Sequence, residues 1–316
     1  KVTKTTVGNI NVSGITFNLR GTSDSGRDID IPAVTDENGV AIFSEIPIGT
    51  YTIYEDEKTV PTAYLVADPQ NVTVTYAETK EVPIENKEKT GSITVHKTTE
   101  GQKNIEGIKF YLRGTSDSGR AIDIPATTDK DGIAKFDGVP IGTYMVIEDE
   151  ETVPYGYLVA DEKEVKVEYA QTIDETILNN EQTGTVKVHK KTADMTNVEG
   201  IRFILSGISD TGREIRIEAT TDKDGLAKFE GVPVGTYTIT EDGSTVPYGY
   251  LVADSKQVTV AYAQTVDTDM VNEKAPDTPN TGVTDNDSDG SKALCSVAII
   301  LAGAAIVMFS RKRKER

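Results

Sequence analysis

The sequence has no tryptophan, one cysteine and two histidines among its 316 residues. A single cysteine excludes a disulfide framework, and two histidines beside it are too few for a Cys/His metal site. Basic residues are also in deficit, because 33 Lys and Arg face 51 Asp and Glu, a formal net charge of −18. A phosphate-binding surface needs a basic footprint, so the charge excludes a nucleic-acid binder. We expect a soluble, self-repelling surface with no metal and no cofactor.

Other familiar signals are missing as well. There is no initiator methionine and no signal peptide at Lys1, which predicts that the chain starts inside a longer precursor. No phosphate-binding loop, dinucleotide fingerprint or Ser-His-Asp constellation is present. The sequence therefore predicts no enzyme that turns over a substrate.

One long apolar run is present, from Ala293 to Phe309, and it contains no charged residue. A helix of that length spans about 26 Å, which is the short end of a membrane span. The basic segment 311–316 follows directly. We predict a transmembrane helix over 293–310 and a cytoplasmic tail, with the rest of the chain outside. A buried core helix is the alternative. Cys295 lies inside this run, and we interpret it as a small apolar filler rather than a reactive thiol.

A short motif lies just before this run, in the predicted linker 275–292. The residues are Thr278, Pro279, Asn280, Thr281 and Gly282. Followed by an apolar run and a basic tail, they resemble a sortase sorting signal of the Leu-Pro-x-Thr-Gly type. The resemblance implies cleavage after Thr281 and its covalent attachment to peptidoglycan or to another subunit, so sortase and peptidoglycan are the expected partners, with the membrane as an anchor before sorting. Thr278 stands where Leu is usual, which leaves the sortase class open. An ordinary linker turn is the alternative.

The rest of the chain is repetitive. The sequence TVPYGYLVAD occurs at 152–161 and 245–254, and the variant TVPTAYLVAD occurs at 59–68, each step being 93 residues. This period predicts three modules, 1–88, 89–181 and 182–274, joined by only a few residues. Short joins favour a semi-rigid array over beads on a flexible string.

Within a module the pattern is that of β-strands. Val, Ile, Thr and Tyr alternate with polar residues, and turns recur every 8–12 residues. We predict an all-β fold in which each module is an antiparallel, prealbumin-like or immunoglobulin-like sandwich of about seven strands. Residues 117–119 and 130–132 are predicted hairpin turns. Residues 129–132 resemble the start of a calcium loop, but the later Glu ligand is missing.

Three polar residues per module fall on the apolar face of their strands. Strand side chains two positions apart share a face. By this rule Lys97 shares the face of Ile93 and Val95, Glu148 that of Tyr144 and Val146, and Asn179 that of Ile177. The same holds in the other modules for Lys4, Glu55, Asn86, Lys190, Glu241 and Asn272. Lys191 and Asn180 are neighbouring alternatives, but the parity favours the residues named.

An isolated buried Lys or Glu is costly and must pair or become neutral. Burial favours the neutral amine, which is a nucleophile, and the neutral carboxylic acid, which can polarise an amide and transfer its protons. A lysine amine held against an asparagine side chain can therefore form an isopeptide bond and release ammonia. A buried Lys–Glu ion pair without the bond is the alternative.

These residues resemble those of collagen-adhesin B-type domains, the SpaA-like prealbumin domains of Gram-positive pilins. That family has a Lys on the first strand, an Asn on the last, and an E-box of the form Tyr-x-Leu-x-Glu followed by Pro-x-Gly-Tyr. The resemblance implies bonds between Lys4 and Asn86, Lys97 and Asn179, and Lys190 and Asn272, with Glu55, Glu148 and Glu241 as catalytic acids. Ala63 departs from the motif in module 1, where the bond is less secure.

The sequence thus favours a cell-wall-anchored stalk or adhesin segment of a Gram-positive surface protein. A basal or minor pilin subunit is the first alternative, and the stalk of a surface enzyme with an upstream catalytic domain is the second. A host or extracellular-matrix ligand would be bound by an upstream domain. The sequence names neither that ligand nor the host.

Overall fold

The computed structural model describes residues 1–276 except Asn11, Asn104, Met195 and Asn197. Lys1–Ala275 form one compact unit, and all three hydrophobic cores lie inside it. No helix in the described part is long and apolar enough to cross a membrane. The predicted sorting motif 278–282, membrane span 293–310 and basic tail 311–316 lie outside the described residues.

Each module consists of seven strands, as the alternating pattern predicts. In module 1 they are β1 (Val2–Thr6), β2 (Thr16–Thr22), β3 (Asp28–Val34), β4 (Val40–Ala41), β5 (Gly49–Glu55), β6 (Gln70–Val74) and β7 (Val82–Asn86). In module 2 they are β8 (Thr90–Thr99), β9 (Lys109–Ser116), β10 (Ala121–Thr127), β11 (Ile133–Pro140), β12 (Gly142–Glu148), β13 (Lys163–Val167) and β14 (Thr172–Asn179). In module 3 they are β15 (Thr183–Thr192), β16 (Arg202–Ser209), β17 (Glu214–Thr220), β18 (Leu226–Pro233), β19 (Gly235–Glu241), β20 (Lys256–Val260) and β21 (Thr265–Asn272).

The strands of each module form two sheets. In module 2 the order is β11-β8-β14 in the three-stranded sheet and β10-β9-β12-β13 in the four-stranded sheet, and the other modules repeat it. The described helices are short 3-10 turns at Val7–Asn9, Glu57–Thr59, Glu150–Thr152 and Gly243–Thr245. The all-β prediction and the three tandem sandwiches are confirmed.

The prediction of a purely antiparallel sandwich is wrong for one pair of strands. The first and last strands of every module run parallel, with Lys97 opposite Ile177 in module 2. Period-two alternation shows only which residues share a face, and it is the same for both strand directions. Parallel pairing needs a long crossover, which the five intervening strands supply.

One of the two predicted hairpin turns is also corrected. Residues 117–119 do connect the hairpin of β9 and β10. Residues 130–132 instead connect β10 to β11, which belong to different sheets. Gly132 has φ +74°, and its carbonyl accepts a hydrogen bond of 2.7 Å from the backbone N–H of Lys97. The turn thus packs against β8 at Lys97 and helps to hold that residue in place.

The core of each module lies between its two sheets. In module 2 the buried residues alternate along β8, where Ile93 and Val95 are fully buried, and meet Phe110 and Leu112 of the facing sheet. Tyr144 lies in the same core, and its hydroxyl donates 2.8 Å to the carbonyl of Pro140. Its polar atom is therefore satisfied while its ring packs among apolar side chains.

Candidate functional site

The parallel pairing of the first and last strands brings the predicted lysine and asparagine together. Lys97 lies on β8 opposite Ile177, and Asn179 follows Ile177 by two residues on the same face of β14. Glu148 is the last residue of β12 in the facing sheet, where it pairs with Phe110. The three side chains therefore meet between the two sheets.

In module 2 both partners contact the same carboxylate. The Lys97 Nζ lies 3.7 Å from Oε1 of Glu148, and the Asn179 Nδ2 donates 3.0 Å to that same oxygen. The other carboxylate oxygen accepts 2.8 Å from the backbone N–H of Ala160. Glu148 is thus oriented by the loop that follows the E-box.

Module 3 brings the same three residue types together, with the asparagine on the other carboxylate oxygen. Lys190 Nζ lies 3.4 Å from Oε1 of Glu241, and Asn272 Nδ2 donates to Oε2 of Glu241 at 2.5 Å. The backbone N–H of Ala253 donates 2.7 Å to the Glu241 carboxylate. Asn272 and Ala253 therefore share one oxygen of Glu241 and Lys190 lies nearest the other, whereas in module 2 the asparagine and the lysine approach the same oxygen.

Module 1 places the same residue types together with looser contacts. Lys4 Nζ lies 3.9 Å from Oε1 of Glu55, and the other oxygen of Glu55 accepts 2.8 Å from Ala67 N–H. Neither amide atom of Asn86 has a hydrogen-bond partner in the described structure. Ala63, the departure from the motif, is buried and does not use the left-handed backbone that Gly156 and Gly249 adopt at φ +91°. The E-box glutamate keeps its position despite the substitution.

Burial of these groups is nearly complete. The side chains of Lys4 and Lys97 are fully buried, and those of Glu55 and Glu148 are 1 % exposed. Burial lowers the pKa of Lys4 and of Lys97 to about 8, although the neighbouring glutamate raises it in part. Burial likewise lowers the pKa of Lys190, against the influence of Glu241. Each amine therefore loses its proton more readily than a free lysine, and the neutral form is the one that can act as a nucleophile.

One asparagine atom is unsatisfied in all three modules. The side-chain oxygens of Asn86, Asn179 and Asn272 are buried without a hydrogen-bond partner in the described structure. In modules 2 and 3 the amide nitrogen, and not this oxygen, faces the glutamate, so the oxygen could accept a proton from the glutamate only if the amide turned over. This oxygen is therefore a buried acceptor without a donor in the described structure, which is costly in a folded protein.

The two alternative residues lie outside this cluster. Lys191 is 43 % exposed at its side chain and pairs with Asp269 at 3.0 Å on the surface. Asn180 is exposed. The structure groups the residues that the period-two parity favours, while their chemical role stays a prediction. In the described residues no group of His, Cys, Asp and Glu could hold a metal ion.

A second set of buried polar groups was not predicted, and it lies where the modules join. Glu88 is 8 % exposed, and its carboxylate accepts from Ser118 and, at 2.8 Å, from Arg120 in the first hairpin of module 2. Glu181 binds Thr211 and Arg213 of module 3 in the same way. The signal was available, because Glu and the hairpin pattern Ser-Asp-Ser/Thr-Gly-Arg recur with the 93-residue period.

Fold and site together define a class: tandem prealbumin-like β-sandwiches with a buried Lys, Glu and Asn in each unit. The family model "SpaA: Prealbumin-like fold domain" matches residues 1–88, 91–182 and 184–274. The chain belongs to this family of SpaA-type prealbumin-like domains. No curated protein matches the sequence.

Solved structures with this fold include the Bacillus anthracis TIE protein, at 20 % identity and a TM-score of 0.61. That likeness covers 86 % of this chain and 49 % of the TIE chain, so this chain spans about half of it. A streptococcal ancillary pilin matches at 18 % identity and a TM-score of 0.36, covering 87 % of this chain and 98 % of its own. BcpA, the major pilin subunit of Bacillus cereus, matches at 16 % identity and a TM-score of 0.40, with coverages of 87 % and 98 %.

Proposed function

We propose that this chain is a force-bearing stalk or adhesin segment of a Gram-positive surface protein, closed in each module by a Lys–Asn isopeptide bond and attached to the cell wall at Thr281 by sortase. The observation that carries the proposal is the threefold occurrence of one buried Lys, Glu and Asn cluster. Stability alone does not explain such a cluster, because the desolvation penalty of a buried ion pair cancels most of the stability that the pair brings.

The bond forms by attack of the neutral lysine Nζ on the side-chain carbonyl carbon of the asparagine. Glutamic acid donates its proton toward the amide and takes one from the attacking nitrogen, so that it is regenerated. The new C–N bond replaces the bond between the carbonyl carbon and Nδ2, and ammonia leaves. Amine plus primary amide thus gives secondary amide plus ammonia, with no oxidant and no cofactor.

The position of the bond supports a mechanical role. Lys97 and Asn179 lie 82 positions apart, on strands that pair side by side. By the chain-entropy estimate used for disulfides, such a cross-link stabilises the fold by about 4–5 kcal/mol. A stretching force applied along the chain would also be transmitted from β8 to β14 through the covalent bond. Most of the hydrogen bonds between the strands would then not carry that force.

The first test is the intact mass of recombinant residues 1–276. We expect a deficit of three ammonia molecules relative to the sequence mass. Glu148→Ala is expected to restore one of them, because module 2 then lacks its acid. Fragment masses should show Lys97 joined to Asn179, and not Asn180.

Glu151→Ala is the matched control, because Glu151 is an exposed acid of the neighbouring turn. It should keep the full deficit. A well-folded protein at the unmodified mass would refute the bonds, and a full deficit in Glu148→Ala would refute the role of Glu148.

Anchoring is tested separately in cells that carry the full chain. Thr281→Ala should release the protein from the cell-wall fraction, while Thr284→Ala, just beyond the motif, should leave it bound. A pilin subunit would instead give a ladder of high-mass products on a denaturing gel of wall extract. Retention of Thr281→Ala in the wall would refute the proposed attachment site.

A further inference from the structure

Asn38 and Gly39 form the only Asn-Gly pair in the sequence. They lie in the turn before β4 of module 1, which is the counterpart of the turns at 129–132 and 222–225. When glycine follows asparagine, the next backbone nitrogen can approach the asparagine side chain with least hindrance, because glycine has no side chain of its own. This pair is therefore the place in the chain where an intramolecular reaction of an asparagine amide is most favoured.

The side chain of Asn38 is accessible to solvent. Asn38 is exposed, and its side-chain amide makes no hydrogen bond to any residue that the structure describes. The backbone nitrogen of Gly39 is held by one hydrogen bond, 3.0 Å to the carbonyl of Asp36. Once this bond in a surface turn opens, the nitrogen can rotate toward the side chain of Asn38. No buried contact has to break for that step.

The same turn in the other modules contains aspartate at this position. Asp131 and Asp224 stand where module 1 has Asn38, and both are exposed. In module 2 the N–H groups of Asp131 and Gly132 each donate 2.9 Å to Asp129, to its Oδ1 and its carbonyl respectively. Module 1 has the same two hydrogen bonds. Aspartate at position 38 therefore requires no rearrangement of the turn.

The turn also packs against the strand that contains Lys4. The N–H of Lys4 donates 2.7 Å to the carbonyl of Gly39. A Cβ atom on Gly39 would lie 2.5 Å from the carbonyl oxygen of Lys4, and the φ of Gly39 is +72°. The backbone at Gly39 thus has no room to move toward β1. Any lengthening of the backbone between Asn38 and Gly39 must disturb the contact with Lys4 or bend the turn outward.

We propose that Asn38 is a site of spontaneous deamidation, which converts it to aspartate in some molecules and to isoaspartate in others. The Gly39 nitrogen gives up its proton to solvent and attacks the side-chain carbonyl carbon of Asn38. A C–N bond forms there, and Nδ2 takes up a proton and leaves as ammonia. Water then opens the resulting cyclic imide at either carbonyl. Asparagine plus water thus gives a carboxylic acid plus ammonia, with no other reactant.

The two products differ in their effect on Lys4. Opening at the side-chain carbonyl gives aspartate, which keeps the turn that modules 2 and 3 already have. Opening at the main-chain carbonyl gives isoaspartate, in which the backbone runs through the former side chain and is longer by one carbon atom. Gly39 then no longer fits against Lys4, so the Lys4 amide loses its hydrogen-bond acceptor. The reaction needs neither the isopeptide bond nor sortase, so it holds or fails independently of the proposed function.

The test is peptide mapping by mass spectrometry of recombinant residues 1–276 during incubation at mildly alkaline pH. Trypsin releases residues 28–58 as one peptide, in which Asn38 is the only Asn or Gln. We expect this peptide to convert with time into two heavier species of equal mass, of which only one is a substrate for isoaspartate methyltransferase. The conversion should be faster at higher pH, because the attacking nitrogen must lose its proton.

Other peptides of the same digest are internal references. Residues 121–130 are the module 2 counterpart and contain no Asn or Gln, so their mass should not change. Asn71 is also exposed, but Val72 follows it, and its conversion should be at least about tenfold slower because a β-branched side chain hinders the attack. An imide that persists has the same mass deficit as one isopeptide bond. Mapping separates the two, because the peptide 28–58 contains neither Lys4 nor Asn86.

Two variants isolate the chemistry and its effect. Asn38→Gln keeps an exposed amide on a longer side chain, which must close a larger ring, so the peptide should keep its mass. Asn38→Asp has the direct product and should exchange the Lys4 amide hydrogen at the rate of the unmodified protein. The isoaspartate form, separated by chromatography, should exchange that hydrogen about tenfold faster or more, because its acceptor has moved.

Three results would overturn the proposal. The first is an unchanged peptide 28–58 in the folded protein after a time in which the urea-unfolded chain converts, because the hydrogen bond of Gly39 would then block the reaction. The second is conversion of Asn38→Gln at the same rate. The third is equal exchange of the Lys4 amide in the isoaspartate form and in Asn38→Asp, which would refute the predicted difference between the products.

Discussion

Lys97 combines an amine with a buried setting that lowers its pKa to about 8. Its Nζ donates to the carbonyls of Thr98 at 2.6 Å and Ile177 at 3.1 Å, while Glu148 lies 3.7 Å away. These contacts aim the amine along the edge of the parallel strand pair toward the end of β14. The side chain is thus held in one place, which the proposed attack on Asn179 would require.

A pH prediction follows for a module that cannot form its bond. Asn179→Ala leaves Lys97 and Glu148 together without an acceptor amide. Burial lowers the pKa of Lys97 from 10.5 to about 8. Between these values the unfolded chain binds more protons than the folded one, so the stability of module 2 should rise as pH increases from about 8 to 10.5. Urea denaturation at several pH values measures this slope.

The double variant Asn179→Ala with Lys97→Met is the control. This variant lacks the titrating amine, so the stability of module 2 should no longer rise between about pH 8 and 10.5. Equal slopes in the single and double variants would show that Lys97 keeps an ordinary pKa in the folded protein.

At the scale of one residue the sequence was informative. Alternation alone placed Lys97, Glu148 and Asn179 on interior faces, and the structure buries all three. The orphaned asparagine oxygen could not be predicted, because it depends on distances between strands that are far apart in the chain. The contact of Glu88 with Ser118 and Arg120 was missed because the repeat shows that the Glu and the hairpin recur together, but not that they touch.

At the scale of elements, the first strand of module 2 packs closely against its neighbours at a glycine, Gly91. The backbone of Gly91 in β8 lies so close to the carbonyls of Glu168 and Gln171 that a Cβ atom at this position would clash with both. Its backbone does not need a left-handed conformation, so the requirement for glycine is steric alone.

Gly91→Ala should therefore destabilise module 2 by about 1–3 kcal/mol, the range for overpacking. Calorimetry should show a lower melting temperature for that module. Ser92→Ala, one residue along the same strand, keeps the backbone pairing and should melt close to the wild type. An unchanged melting temperature for Gly91→Ala would mean that the strand end moves freely.

The sequence predicted which segments form strands better than it predicted how those strands pair and which sheet each belongs to. Seven strands per module follow from alternation and turn residues. The parallel pairing of β8 with β14 does not follow from them, because the alternation of side chains along a strand is the same whether its neighbour runs parallel or antiparallel. The turn at Lys130–Gly132 has the residues of a hairpin, yet β10 and β11 separate into different sheets to close the core.

At the scale of the whole molecule, the two joints differ. In the joint between modules 2 and 3, Lys103 donates to the Gly212 carbonyl, and Glu100 accepts 3.1 Å from Glu181 N–H. The corresponding positions beside the first joint are Val7 and Ile10, which have no charge. The joint between modules 2 and 3 therefore has polar contacts for which Val7 and Ile10 offer no side-chain counterpart among the described residues of the first joint.

Glu181→Ala should loosen that joint, because its carboxylate binds both Thr211 and Arg213. Limited proteolysis should cut near Thr183 several times faster, at an unchanged number of isopeptide bonds by mass. Glu214→Ala, an exposed acid of module 3, should be cut at the wild-type rate. An unaltered cleavage rate in Glu181→Ala would show that the strand pairing alone holds the joint.

The adjacency of first and last strands has a consequence for damaged molecules. If the proposed bond joins Lys97 to Asn179, residues 97–179 form a closed covalent ring. A protease that cuts one loop of this ring opens it but does not sever the chain, since the two halves remain joined through the side chains. A surface protein built in this way could lose peptide bonds in every module and still connect its two ends.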